Sequence, residues 1–174
     1  MEKKPYKILT IIVMLIYSIL IFSSLSLRLG NWFVETDNEG IIVNSEKMEG
    51  ESFSDYSKRV TNFTPFKTMK NYINKTQKGE LAAVYTLEFF VLNFIAAFPF
   101  GLLLPVAFKK LRVFWNTFGA LLAIGIIKEL FKLFMTVGRC DIDAVILNVI
   151  GGIVGYLIFM LIYKNPSIRE EITD

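Results

Sequence analysis

The sequence predicts an all-α integral membrane bundle: four transmembrane helices and a long outer loop that contains a short interfacial helix. Three observations carry that reading. Of 174 residues, 53% are apolar and the mean hydropathy is +0.49, on the apolar side of a typical soluble domain. The apolar residues gather in four runs, each near the ~20 residues that a helix needs to cross a ~30 Å hydrocarbon core. Lys and Arg cluster in short segments beside those runs, where they bias orientation. The length suits one membrane domain, 1–174.

The helices are expected at about 8–27, 84–108, 113–137 and 142–163. The first follows Lys3, Lys4 and Lys7. It can also be read as a signal peptide with Ser24-Leu25-Ser26 at the cleavage site, but its apolar part is longer than the ~7–15 residues usual for one. The second carries Glu88 and Asn93. The third carries Lys128, Glu129 and Lys132 in its last third. The fourth follows a charged corner, Gly138-Arg139-Cys140-Asp141-Ile142-Asp143.

An even number of spans places the N-terminal lysines, Lys109, Lys110 and Arg112, and the pair Lys164 and Arg169 on one side. The positive-inside rule makes that side cytoplasmic, so both termini are expected there. The charged corner and the outer loop 28–80 then lie outside, and a thiol reagent at Cys140 would report that side. In the loop, Glu35–Glu51 reads as turn-rich, with a hairpin around Asn38-Glu39-Gly40. Thr64-Pro65 reads as an N-cap followed by proline at the first helical position. Phe66, Met69 and Ile73 share a face after it, with Lys67 and Lys70 off that face. The result is either a helix at the headgroup level or a solvated helix packed on its own domain.

The chain has no His and one Cys, Cys140. A Ser-His-Asp triad and an intramolecular disulfide are thereby excluded. Asp141 and Asp143 beside Cys140 would raise its pKa, not activate it. No metal, cofactor or nucleic-acid partner is expected. Glu129, Asp141 and Asp143 could offer oxygen ligands, but Arg139 beside them favours charge pairing, with Asp143 at i+4 if the turn is helical.

Candidate site residues are the polar groups within or capping the spans. Lys128 is read as snorkelling to the outer interface. Glu129 lies ~13 Å below the corner and Asn148 ~10 Å below it on the next helix, and Asn93 is bracketed at ~7–18 Å. Asn93, Glu129 and Asn148 should converge in the outer half of the membrane, under Arg139, Asp141 and Asp143. Such a cluster reads either as interhelical hydrogen-bond glue, with Gly151, Gly152 and Gly155 giving close approach, or as a ligand pocket. An ionisable residue within a span favours the pocket.

Several ordered motifs resemble the VanZ-like family of bacterial membrane proteins. They are Asn62-Phe63-Thr64-Pro65-Phe66; Asn93 followed by Phe98-Pro99-Phe100-Gly101 and Pro105; and Glu129, Gly138-Arg139, Asp141-Ile142-Asp143, Asn148, Gly151-Gly152 and Gly155-Tyr156. Two positions depart. Lys132 stands where the family commonly has Gln, and Ala144 where it commonly has Asp. The Gln-to-Lys change could neutralise Glu129 as an i, i+3 pair.

The resemblance implies a role in the envelope of the bacterial cytoplasmic membrane, associated with resistance to teicoplanin-type lipoglycopeptides. The preferred reading is non-enzymatic: membrane lipids surround the chain, and a lipid-linked cell-wall precursor or a lipoglycopeptide binds at Asn93, Glu129, Arg139, Asp141, Asp143 and Asn148. The alternatives are a membrane-embedded enzyme acting on a lipid carrier through Glu129, with Asp141 and Asp143 holding a cation, and a scaffold for other envelope proteins.

Overall fold

Backbone N–H and C=O groups in apolar surroundings must find partners locally, and helices provide them. The computed structural model describes residues 5–27, 47–136 and 138–166. Six α-helices dominate these residues: α1 (Pro5–Leu27), α2 (Phe53–Val60), α3 (Lys67–Gln77), α4 (Ala83–Ala107), α5 (Phe114–Phe134) and α6 (Ile142–Tyr163). Two two-residue strands, β1 (Thr61–Asn62) and β2 (Cys140–Asp141), pair in parallel. The anticipated hairpin at Asn38-Glu39-Gly40, the side chains of Lys3, Lys4 and Lys7, and Arg169 lie outside the described residues.

The all-α expectation holds. Of the long helices, α4 and α6 are long and apolar enough to cross a membrane by length and composition. In α1 the apolar helical stretch is Ile8–Leu20, and α5 carries three charged residues near its end. The third helix stops at Phe134, three residues before the expected 137. Two turn residues follow, and Thr136 there adopts φ 54°.

Helices α4 and α6 form the main packing pair, and glycine sets their separation. A Cβ at Gly151 would overlap the carbonyl oxygen of Phe94, and one at Gly155 that of Phe98. A Cβ at Gly101 would strike the carbonyl of Gly152 in return. Backbone thus lies on backbone, as expected for small residues at a helix interface. Pro99 within α4 has no N–H to offer the carbonyl of Ile95. The Tyr17 hydroxyl of α1 donates to that carbonyl at 3.0 Å, tying α1 to α4 where the ladder is interrupted.

At the far end of α5 from the charged corner, a 3₁₀ turn (Lys109–Arg112) joins α4 to α5. Arg112 Nε donates to Pro105 O at 3.2 Å, and Nη1 donates to the Tyr163 hydroxyl at 3.2 Å. The Tyr156 hydroxyl donates to Arg112 O at 2.7 Å. These bonds close the end of α6 against the turn.

The segment between α1 and α4 holds more structure, among its described residues, than its sequence suggested. Helix α2 was not anticipated. Ser52 caps it by accepting from Asp55 N, and Arg59 grips Glu51 through two bonds of 2.9 and 2.8 Å. Helix α3 begins at Lys67, not at Pro65, and its N-cap is Phe66 in the left-handed region, with no side-chain cap of its own. Phe63 and Phe66 are exposed, whereas Thr68 and Tyr72 face inward.

Candidate functional site: a buried charge cluster at the helix corner

The charged corner is not a surface loop. Arg139, Asp141 and Asp143 are all buried, with Asp143 fully so. The segment between α1 and α4 covers them. Thr61 and Asn62 align with Cys140 and Asp141, and the Tyr56 hydroxyl donates to Gly138 O at 3.2 Å.

Each aspartate answers backbone or amide donors. Asp141 caps its own helix by accepting from Asp143 N at 3.0 Å, and the same Oδ1 accepts from Asn62 Nδ2 at 3.0 Å. Asp143 accepts from Phe66 N, and from Met69 N at 3.0 Å. Those two N–H groups open α3, so a carboxylate 77 positions away in sequence supplies the cap that α3 lacks locally. A helix N-terminus carries roughly half a positive charge, which such an anion offsets. The expected Arg139–Asp143 pair is therefore absent. Arg139 Nη2 instead lies 3.7 Å from Asp141 Oδ2 and 3.4 Å from Thr68 Oγ1. Carboxylates engaged by N–H donors are poorly placed to hold a cation, and among the described residues no cluster of three or more metal-ligating side chains occurs.

Deeper in, Lys128 overturns the snorkelling expectation. It is 6% exposed and turns inward. Its Nζ donates to Asn93 Oδ1 at 3.0 Å and to Asn148 Oδ1 at 3.2 Å. Both amides are oriented for this. Asn93 Nδ2 donates to Phe89 O, and Asn148 Nδ2 to Ala144 O, so each carbonyl is left facing the ammonium. Gly125 lets α6 close on α5 here, because a Cβ would lie 3.2 Å from Val145 Cγ1. The three expected residues Asn93, Glu129 and Asn148 do assemble, but Lys128 is the centre that joins them.

Glu129 links this node to the corner. Its Oε2 accepts from Asp141 N at 3.0 Å and pairs with Lys132 Nζ at 2.6 Å. Its Oε1 lies 3.4 Å from Lys128 Nζ, an ion pair without hydrogen-bond alignment. The i, i+3 neutralisation by Lys132 is thus present. A continuous polar chain runs Asn93, Lys128, Glu129, Asp141, Asn62, and through Asp143 to α3. Sequence reasoning missed Lys128, Asn62 and Thr68 as members, while Lys132 stands where its pairing with Glu129 was expected. Asn62 was visible as part of a motif, but its contact with Asp141 spans 79 positions and has no local periodic signal.

Cys140 is buried between these groups, and desolvation, aided by the Glu129 charge, pushes its thiol up to about 11. Less thiolate exists at neutral pH than for a free cysteine. An impermeant maleimide is expected to leave the folded protein unlabelled on either side of a membrane and to react fast once it unfolds. Rapid labelling of the native protein would contradict this burial. The thiol reports folding, not sidedness.

Known proteins fit this chain. The sequence profile of the VanZ/LLP1 family matches residues 8–163. The chain belongs to the VanZ/LLP1 family. Protein VanZ of Enterococcus faecium is 30% identical over 119 residues, which is 68% of this chain and 64% of that protein. The alignment thus spans slightly under two thirds of that relative. No solved structure matches. Within the VanZ/LLP1 frame the two departures now have positions. Lys132 adds a second ammonium against Glu129. Ala144 is 1% exposed, and its carbonyl receives Asn148.

Proposed function

We propose that the chain is a multi-pass protein of the bacterial cytoplasmic membrane that lowers susceptibility to teicoplanin-type lipoglycopeptides by binding a lipid-linked or lipidated ligand in an outer-leaflet polar pocket. Four crossings by α1, α4, α5 and α6 are supported by large apolar side chains left exposed on each: Leu15 and Ile19, Leu87 and Ile95, Ile127, and Leu157 and Leu161. Water would penalise such surfaces, and lipid would not. The basic turn Lys109–Arg112 then faces the cytoplasm with both termini. The charge cluster lies at the opposite end of α5, with α3 and its exposed Phe63 and Phe66 at the outer headgroup level.

One observation carries the ligand reading. Six ionisable side chains, Lys128, Glu129, Lys132, Arg139, Asp141 and Asp143, come together at one end of the helices with little exposure. Ionisable groups within or beside spans are costly, which makes them candidates for function. Proton transfer is a poor match, because the Glu129 carboxyl is already occupied by Lys132 Nζ and the Asp141 amide, with Lys128 Nζ 3.4 Å away.

The test is expression in a susceptible Gram-positive host. The chain should raise the teicoplanin concentration needed to stop growth and leave vancomycin susceptibility less affected. Arg139→Ala at matched membrane levels should return cells to the level of the untransformed host. No shift with the unaltered chain would end the antibiotic reading. Full protection by a variant combining Arg139→Ala, Asp141→Ala and Asn148→Ala would favour a scaffold.

A further inference from the structure

Arg139 is a buried cation with an incomplete shell. It is 6% exposed, and only Nη2 meets acceptors, Thr68 Oγ1 and the more distant Asp141 Oδ2. Nε and Nη1 are buried without a partner. A guanidinium has five N–H bonds, and Nε and Nη1 together carry three of them. Leaving charged donors buried and unmatched is costly, so the site is built to receive acceptor oxygens.

The carboxylates near Arg139 are otherwise engaged. Asp143 accepts from the Phe66 and Met69 N–H groups at the N-terminus of α3. Glu129 stands against Lys128 and Lys132. Asp141 Oδ1 accepts from Asn62 Nδ2 and Asp143 N, and only its Oδ2 approaches the guanidinium, at 3.7 Å.

We propose that Arg139 receives the phosphate of an outer-leaflet lipid phosphate ester, one anionic headgroup on an apolar chain. This rests on the ligand-pocket reading above and names the ligand class. The unmatched N–H bonds of Nε and Nη1 offer donors to phosphate oxygens, and Arg recognises phosphate through its planar set of donors. The segment covering Arg139 fits an amphiphile. Thr68 of α3 touches the guanidinium, while Phe63 (80% exposed) and Phe66 flank α3 and offer apolar surface to a chain. Because α3 roofs the guanidinium, binding requires α3 to lift from Arg139.

The experiment uses the full chain in neutral detergent. Its single cysteine, buried at Cys140, reports melting through a thiol-reactive dye. The probes are dodecyl phosphate, dodecanol and inorganic phosphate. At ~100 times its Kd, dodecyl phosphate should raise Tm by about 5 °C or more. Dodecanol should not, and inorganic phosphate should require far higher concentrations. Arg139→Lys keeps the charge but loses the planar donor set, and should weaken dodecyl phosphate binding by about tenfold or more. Asp141→Asn keeps the acceptor for Asn62 and removes the competing charge, so it should tighten binding. A purely structural role for Arg139 predicts no such opposite shifts.

Equal stabilisation by dodecanol, or an unchanged Kd in Arg139→Lys, would overturn the proposal. Inorganic phosphate binding as tightly as dodecyl phosphate would overturn the lipid source. Binding through Arg139 without any change in teicoplanin susceptibility would retire the antibiotic reading and leave this site standing. Resistance without dodecyl phosphate binding would do the reverse.

Discussion

Replacing Gly151 with leucine is expected to remove nearly all folded protein from detergent extracts of the membrane. The position has no slack. Even a Cβ there would overlap the Phe94 carbonyl oxygen and crowd its carbon and Cα. Side chains can change rotamer to relieve crowding, but a helical backbone cannot. Helices α4 and α6 would have to part along the interface that also holds Gly155 against Phe98. Ordinary overpacking costs ~1–3 kcal/mol because neighbours can shift. Here the loss should exceed ~4 kcal/mol, the range that marks a broken core feature. The control is Gly119→Ala on the exposed side of α5, where no atom lies within 4 Å of an added Cβ. That change should be neutral or stabilising by up to ~1 kcal/mol, since alanine is the better helix former. Extraction yield and Tm read both. A Gly151→Leu protein that melts within a degree or two of the unaltered chain would contradict the close approach of α4 and α6.

What was legible in the sequence follows the range of each signal. Apolar runs are local and repeat with the helix period, so the four long helices stand within a few residues of their expected places. Gly151, Gly152 and Gly155 announced close packing because their spacing is also local. Asn93, Glu129 and Asn148 were found by depth, since rise per residue converts position into height on antiparallel neighbours. Lys128 was misjudged because a lysine near a helix end has two ways to avoid lipid: outward to water or inward to partners. The choice depends on two asparagine carbonyls on other helices, which no reading of α5 alone contains. The cap of α3 escaped for a similar reason. Thr64-Pro65 has the local form of a helix start, but Asp143 on α6 draws the first N–H groups to itself and delays the helix to Lys67. Corner residues looked like a rim because the segment that buries them, Tyr56 to Tyr72, is distant in sequence and pairs through only two short strands.

Glu129→Ala should be the most damaging side-chain change in the cluster. Glu129 is 1% exposed and stands against two ammonium groups. Its removal takes the carboxylate away from Lys128 and Lys132 and leaves the Asp141 amide without that acceptor. Breaking a buried pair by deleting one partner costs ~3–5 kcal/mol, whereas a single interhelical hydrogen bond is worth about 1 kcal/mol or less. The charge imbalance is therefore the larger part. That division can be measured. Glu129→Gln retains an acceptor for Asp141 N and loses the charge, so it should remain clearly destabilised. Lys132→Gln on that background removes one of the two cations that faced the lost carboxylate. The double variant should be more stable than Glu129→Gln alone, with a coupling of about 0.5–3 kcal/mol. Tm of Glu129→Gln, Lys132→Gln and the double variant against the unaltered chain, read through Cys140, closes the cycle. Additive losses would mean that Lys132 and Glu129 do not share their charge as their 2.6 Å separation indicates. The same variants address chemistry. If Glu129→Gln with Lys132→Gln restores both stability and resistance, no proton passes through residue 129, because a glutamine amide cannot carry it. Lys132 would then be this chain's electrostatic answer to a buried carboxylate that a Gln at the same position leaves to Lys128 alone.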